Sequence, residues 1–405
     1  AFSDKNVGTG KTVTITPSYS GADVSNYSIT NHADVNANIT AKALTVSGIT
    51  ASSKTYNGST SATLDTSSVL YSGLVSGDTF NGSYTGAFSN ANVGTGKTVT
   101  ITSSYSGADS GNYSVTDQSS TTADISTKAL TATASASNKT YDGGTTASTT
   151  LTFSGLVGSE TLGQTVGSTF DNKNVGSNKS VSVNSITLAD GTGLAANYSI
   201  SAGQTTTAHI SPKSLTVSGN TASNKTYNSN SSATVTVTLS GFVGSETLTY
   251  TNSSSFNNKN VGTGKTVTVD SITLADGNNG GLASNYSVTP GQTTTANITA
   301  KSLTVSGIIA SSKTYDGSAS ATLDTSSVLY SGIISGDTFT GSYTGAFSNA
   351  NVGTGKTVTI TSSYSGADTG NYSVTDQSST TADISTKALT ATASASNKTY
   401  DGSTT

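Results

Sequence analysis

Three short strings recur along the chain in one order and at nearly one distance. Lys-Thr-Tyr begins at Lys54, Lys139, Lys225, Lys313 and Lys398, at spacings of 85, 86, 88 and 85 residues. Asn-Val-Gly begins at Asn6, Asn92, Asn174, Asn260 and Asn351, and Asn-Tyr-Ser at Asn26, Asn112, Asn197, Asn285 and Asn371. A period of this size makes the chain a tandem array of small domains rather than one large fold. Each repeat is long enough to bury a modest core of its own, unlike a short solenoid repeat. Boundaries placed at the recurring Lys-Ala/Ser-Leu step give repeats at 44–129, 130–214, 215–302 and 303–388. Residues 1–43 read as the C-terminal half of a repeat and 389–405 as the start of another.

A longer period overlies the first. Ala62–Tyr71 recurs unchanged as Ala321–Tyr330, and Tyr84–Asp109 as Tyr343–Asp368, three repeats further on. This points to duplication in blocks of three. The joins, such as Ser126-Thr-Lys-Ala-Leu-Thr131 and Thr299-Ala-Lys-Ser-Leu-Thr304, lack the Gly/Ser or Pro runs of a flexible tether. A strand leaving one repeat is expected to enter the next almost directly, which would make a stiff rod.

Within a repeat the pattern is all-β. Lys97-Thr-Val-Thr-Ile-Thr102 alternates strictly, with Val99 and Ile101 assigned to the core and the threonines to water. Lys179-Ser-Val-Ser-Val183 does the same and then slips phase at Asn184-Ser185, as a β-bulge requires. Turn signals such as Ser76-Gly-Asp78 and Val93-Gly-Thr-Gly96 separate the strands. About seven short strands per repeat predict an immunoglobulin-like β-sandwich, with a β-grasp-like unit as the other topology.

Composition narrows the function. Ser, Thr, Gly, Asn and Ala dominate and only 10% of residues are charged, yet the alternation argues against disorder. Cysteine is absent, which excludes disulfides, thiolate metal sites and a Cys nucleophile. All 18 basic residues are Lys, unclustered, and the net charge is −4, which argues against nucleic acid. No apolar run approaches a membrane span and no signal peptide is visible. The acids are nearly all Asp, with Glu only at Glu160 and Glu246. Asp78, Asp109 and Asp124 stand singly and Glu is too rare to pair, so neither a Ca²⁺ site nor paired catalytic carboxylates are expected; nor is any acid position read as surviving in every repeat. The same reading argues against Lys–Asn amide cross-links, which need a nearby acid. His32 and His209 do not recur, and Asp124 aligns with His209 and Asn297. No enzyme, metal or cofactor is expected.

Asp109-Ser-Gly-Asn-Tyr113 looks like the tyrosine corner of immunoglobulin-type sandwiches, with Val115 as the inward residue. In Leu194-Ala-Ala-Asn-Tyr198 and Leu282-Ala-Ser-Asn-Tyr286 the Asp is lost and the Tyr stays, so Tyr27, Tyr113, Tyr198, Tyr286 and Tyr372 read as structural. Tyr56, Tyr141, Tyr227, Tyr315 and Tyr400 read as core caps on a strand that ends in an Asx-Gly turn. The competing reading makes these tyrosines sugar-stacking groups beside polar loops.

Tyr141-Asp-Gly, with Ser154-Gly-Leu-Val-Gly158, Asp171-Asn-Lys-Asn-Val-Gly176-x-x-Lys179 and Thr121-Thr-Ala-Asp-Ile125, resembles the YDG-type repeat over essentially the whole chain. The departures are Asn57 and Asn228 for Asp, and the missing Gly after Asn228. The resemblance implies a long secreted or cell-surface protein of Gram-negative bacteria, filamentous-haemagglutinin-like and two-partner-secreted, with no catalytic residues. The expected role is a stalk or fibre segment of an adhesin or biofilm matrix protein. Its partners would be other copies of the fibre and host or matrix glycans. The alternative is a multivalent glycan-binding module.

Overall fold

The structure, a computed structural model, describes residues 1–405. Its regular elements are β-strands and five 3-10 turns of three residues, so the all-β expectation holds. None of these turns is long and apolar enough to cross a membrane. Two compact units are present: Ala1–Lys139 with Gly144–Ile210, and Thr140–Gly143 with Ser211–Thr405.

In the first unit, repeat 44–129 shows the architecture most fully. One sheet has the order Tyr113–Thr116, Lys42–Ser47, Leu70–Ser72. The other runs Lys54–Thr55, Ser120–Ser126, Gly94–Ser106, Asn81–Phe88, Ser61–Ala62. Leu44 and Val46 from the first sheet pack with Ile101 from the second, together with Ile49, Phe80 and Tyr113. The alternation read from the sequence holds, since Val99 and Ile101 are buried and Thr98, Thr100 and Thr102 exposed. The strand Gly94–Ser106 has 13 residues and its counterpart Gly176–Asp190 has 15, longer than the short strands expected. The phase slip is a bulge: Gly167 pairs with Ser185 and Ser168 with Val183, leaving Asn184 extra.

The pairing differs from an immunoglobulin sandwich, whose sheets are antiparallel. Lys42–Thr45 runs parallel to Tyr113–Thr116, and Lys54–Thr55 parallel to Ile125–Ser126. Nor is Tyr113 a tyrosine corner. Its hydroxyl donates to Asp78 Oδ2 at 2.6 Å and accepts from the Val75 amide at 3.0 Å, on a turn far upstream. The Asp-x-Gly-x-Tyr spacing matched; the partner did not.

The second unit repeats the plan. Lys301–Ser306 lies between Leu329–Ser331, antiparallel, and Tyr372–Thr375, parallel. Gly353–Ser365 pairs with Thr340–Phe347 and Ser379–Ser385. Residues beyond Ser385 form no strand.

No tether separates repeats inside a unit. Ser120–Ser126 is followed, after Thr127 alone, by the strand Lys128–Ala129, and Thr293–Thr299 after Ala300 by Lys301–Ser306. The cores run through these joins. Tyr56, Phe88, Val99, Ala123 and Ile125 form one buried cluster with Leu130 and Tyr198 of the following repeat. In the second unit one cluster extends from Tyr227 and Val267 to Leu303, Phe339 and Tyr372. The expectation that each repeat has a core wholly its own is therefore corrected.

Candidate functional site: the joints between repeats

The three recurring strings meet at the joints. In the first unit, the Tyr56 hydroxyl donates to Glu160 Oε1 at 2.7 Å. The Tyr198 hydroxyl donates to Glu160 Oε2 at 2.5 Å and accepts from the Val157 amide at 3.0 Å. The two rings meet edge to face, 5.4 Å between centroids. Beside them the Val93 amide donates to Asn197 Oδ1 at 2.9 Å, and Asn197 Nδ2 donates to Asn92 Oδ1 at 3.1 Å. Tyr56, Asn92 and Val93 belong to one repeat, and Glu160, Asn197 and Tyr198 to the next. Each buried polar atom named here has a partner, as a dry joint demands.

The joint between residues 1–43 and repeat 44–129 uses a lysine. Lys5 Nζ lies 2.8 Å from Asp109 Oδ1 and 3.3 Å from Asp78 Oδ1, and the Val7 amide donates to Asn112 Oδ1 at 2.8 Å. Within the second unit, Lys259 Nζ lies 3.0 Å from Asp368 Oδ1 and 3.7 Å from Asp337 Oδ1. There the Tyr372 hydroxyl donates to Asp337 Oδ2 at 2.6 Å, and the Val261 amide to Asn371 Oδ1 at 2.9 Å. Tyr227 and Tyr372 meet edge to face at 5.6 Å. Ser229 occupies the left-handed position, φ 67°, where the other repeats carry glycine, and its Oγ bonds Asp337 Oδ1 at 3.0 Å. Also in the second unit, the Tyr141 and Tyr286 hydroxyls donate to the two oxygens of Glu246, each at 2.7 Å.

An acid therefore does hold one structural place in every complete repeat: Asp78, Glu160, Glu246 and Asp337, each accepting from the recurrent tyrosine. The reading that no acid position survives is corrected. The alternation of Asp and Glu, with a changed order of Gly and Ser beside them, hid it. Asp78 and Asp109, read as solitary, share Lys5.

Burial, with the bond to Glu160, pushes the Tyr56 phenol up to about 12, and burial likewise raises Tyr198. Tyr286 and Tyr372 are each pushed up to about 12, by burial first and then by Glu246 and Asp337 among other contacts. Asp109 is held below the usual carboxylate value by Lys5 and the Thr79 amide, and Asp368 by the Thr338 amide and Lys259. A phenol raised on folding contributes stability that is complete below its unfolded value near 10 and lost as pH climbs through about 12. A carboxylate depressed on folding contributes above about 3.8 and is lost as pH falls below it. The melting temperature should thus hold level from about pH 5 to 10 and fall on both sides. A flat alkaline limb to pH 12 would contradict the buried phenols.

The other recurring residues shape loops. Lys54 Nζ donates to the Ser59 and Ser61 carbonyls at 2.6 and 2.8 Å and lies over the Phe88 ring, closing the turn after Tyr56. Lys225 and Lys313 do the same over Phe256 and Phe347. Asp124, His209 and Asn297 each accept from a turn amide, of Gly96, Asn178 and Gly264, so His209 serves there as an acceptor.

Of the tyrosines singled out from sequence, Tyr56, Tyr113, Tyr141, Tyr198, Tyr227, Tyr286 and Tyr372 are buried. Tyr27, Tyr315 and Tyr400 are 73%, 41% and 93% exposed. The sequence reading missed the acids, Lys5 and Lys259, and the Asn side chains that receive the neighbouring Val amide. The Asn of Asn-Tyr-Ser, present in every repeat, was the available signal.

Fold and joints define a class: a tandem array of all-β domains whose recurrent residues lie where one domain meets the next. The chain belongs to the YDG domain family, which matches residues 40–123, 126–208, 211–296 and 299–382. These copies start ahead of the strand Lys42–Ser47 and its counterparts, whereas the boundary at 43/44 falls inside that strand. No curated protein sequence matches the chain. Among solved structures it is similar to the crystal structure of Drosophila N-cadherin EC1-4. That likeness has a TM-score of 0.21 at 8% identity, over 84% of this chain and 99% of that one, and is too slight to carry an argument.

Proposed function

We propose that the chain is a stalk or fibre segment of a secreted or cell-surface bacterial adhesin or matrix protein, with no catalytic role. It works through length, stiffness and association with other copies of the fibre. The observation that carries this reading is the use of the recurrent residues. Tyr56 and Tyr198 share Glu160 across one joint, and Tyr227 and Tyr372 meet across another on Asp368 and Asp337. Repeats inside a unit follow one another with a single residue between strands. Such joins resist bending, and repetition then yields reach. Tyrosines whose rings are covered and hydroxyls bonded are poorly placed to stack on sugars, which weighs against the glycan-binding alternative.

Small-angle scattering of the whole chain should give a particle several times longer than wide. A glycan array probed with the same protein should stay blank. A compact particle would end the stalk reading, and binding to one sugar class would replace it with the multivalent module.

A further inference from the structure

The joints of Lys5, Ala91 and Lys259 are of two kinds. Where the repeat in front offers two aspartates, Asp78 with Asp109 or Asp337 with Asp368, the repeat behind supplies a lysine just before its Asn-Val-Gly. Where it offers one glutamate, Glu160, and Leu194 in place of the second aspartate, the residue at that position is Ala91. Both arrangements leave a single net negative charge in the joint. The Asp337 side chain is only 1% exposed and that of Asp368 10%. Two carboxylates so placed are costly without a cation. The glutamate needs none, because two phenol hydroxyls take its two oxygens.

We propose that the residue before Asn-Val-Gly determines which repeats can join: a two-aspartate front accepts only a repeat end that carries lysine, whereas a glutamate front also accepts alanine. The chain obeys this order throughout. Lys5 and Lys259 precede the two-aspartate repeats, and Ala91 precedes a glutamate repeat. Lys173 also precedes a glutamate repeat, as the rule permits, and Ala350 ends the last complete one. The surface at issue is thus the end of a repeat, and its partner is another repeat of this kind. The rule sorts neighbours that are otherwise nearly identical, and it holds whether or not the array is an extracellular stalk. It guards against a shifted pairing in which an alanine end meets a two-aspartate front.

The test uses the full chain and amide exchange at Val261, whose N–H is bonded across the joint to Asn371. Lys259→Ala should speed that exchange by about tenfold or more, equivalent to ~1.4 kcal/mol. Adding Asp368→Asn keeps an acceptor for the Thr338 amide but removes the surplus charge, and should recover most of the loss. Ala91→Lys should leave exchange at Val93 within about twofold. If Lys259→Ala protects as well as the native chain, or if the double variant is no better than the single, the rule fails. Should Lys259→Ala not fold at all, recovery of a folded chain by the double variant decides the matter.

Discussion

Tyr372→Ala should unfold the second unit at a much lower denaturant concentration, with a loss of about 3–5 kcal/mol, the usual cost of truncating a buried ring. The ring packs edge to face on both Tyr227 and Phe339. Its hydroxyl holds Asp337 and the Ile334 amide. Tyr372→Phe keeps the packing and removes a hydrogen bond to a charged group, for about 1.5–3 kcal/mol. Because one cluster spans the joint from Tyr227 to Tyr372, the damage should not stop at repeat 303–388. Amide exchange should quicken in repeat 215–302 as well, where a repeat with a private core would be spared. Urea melts and exchange on the three proteins supply the measurement. A midpoint for Tyr372→Ala within error of the native one would show that the tyrosine is not part of the joint.

Gly366→Ala should cost about 2–4 kcal/mol, summed from backbone strain and an unrelieved clash. Gly366 has φ +125°, and a Cβ there would stand 2.3 Å from the Thr338 carbonyl oxygen. The turn cannot move away freely, since Thr338 and Asp368 are bonded to each other in both directions, amide to carboxylate and amide to carbonyl. Displacing it withdraws Asp368 from Lys259. Gly370→Ala, four residues on, is the control: a Cβ there meets nothing within 4 Å, and the change should stay within about 0.5 kcal/mol. Equal effects at the two sites would mean that chain entropy, not the clash, governs this turn.

Much of the fold was legible because it is written locally. Period-2 alternation placed Val99, Ile101, Val181 and Val183 in the core, and the slipped phase located the bulge at Asn184. The pairing of Lys42–Thr45 with Tyr113–Thr116 was not legible, because nothing in either segment says which distant strand it meets or in which direction. Recurrence singled out the right tyrosines and asparagines, yet not their common purpose. Tyr56 and Glu160 lie 104 residues apart in different repeats, and only folding brings them within 2.7 Å. The scarcity of Glu was read as a lack of chemistry. Both glutamates in fact sit at joints, where the longer side chain reaches two tyrosine hydroxyls at once.

The parallel pairing has a mechanical consequence. A repeat is entered through Lys42–Ser47, which lies alongside Tyr113–Thr116, and is left through Ser120–Ser126, which lies alongside Lys54–Thr55. Tension on the two ends draws these neighbours along each other in opposite senses. Every hydrogen bond between them is then strained together in shear, and none can be peeled away ahead of the rest. A repeat wired in this way yields abruptly at high load, whereas a hairpin pulled from its open end unzips one rung at a time.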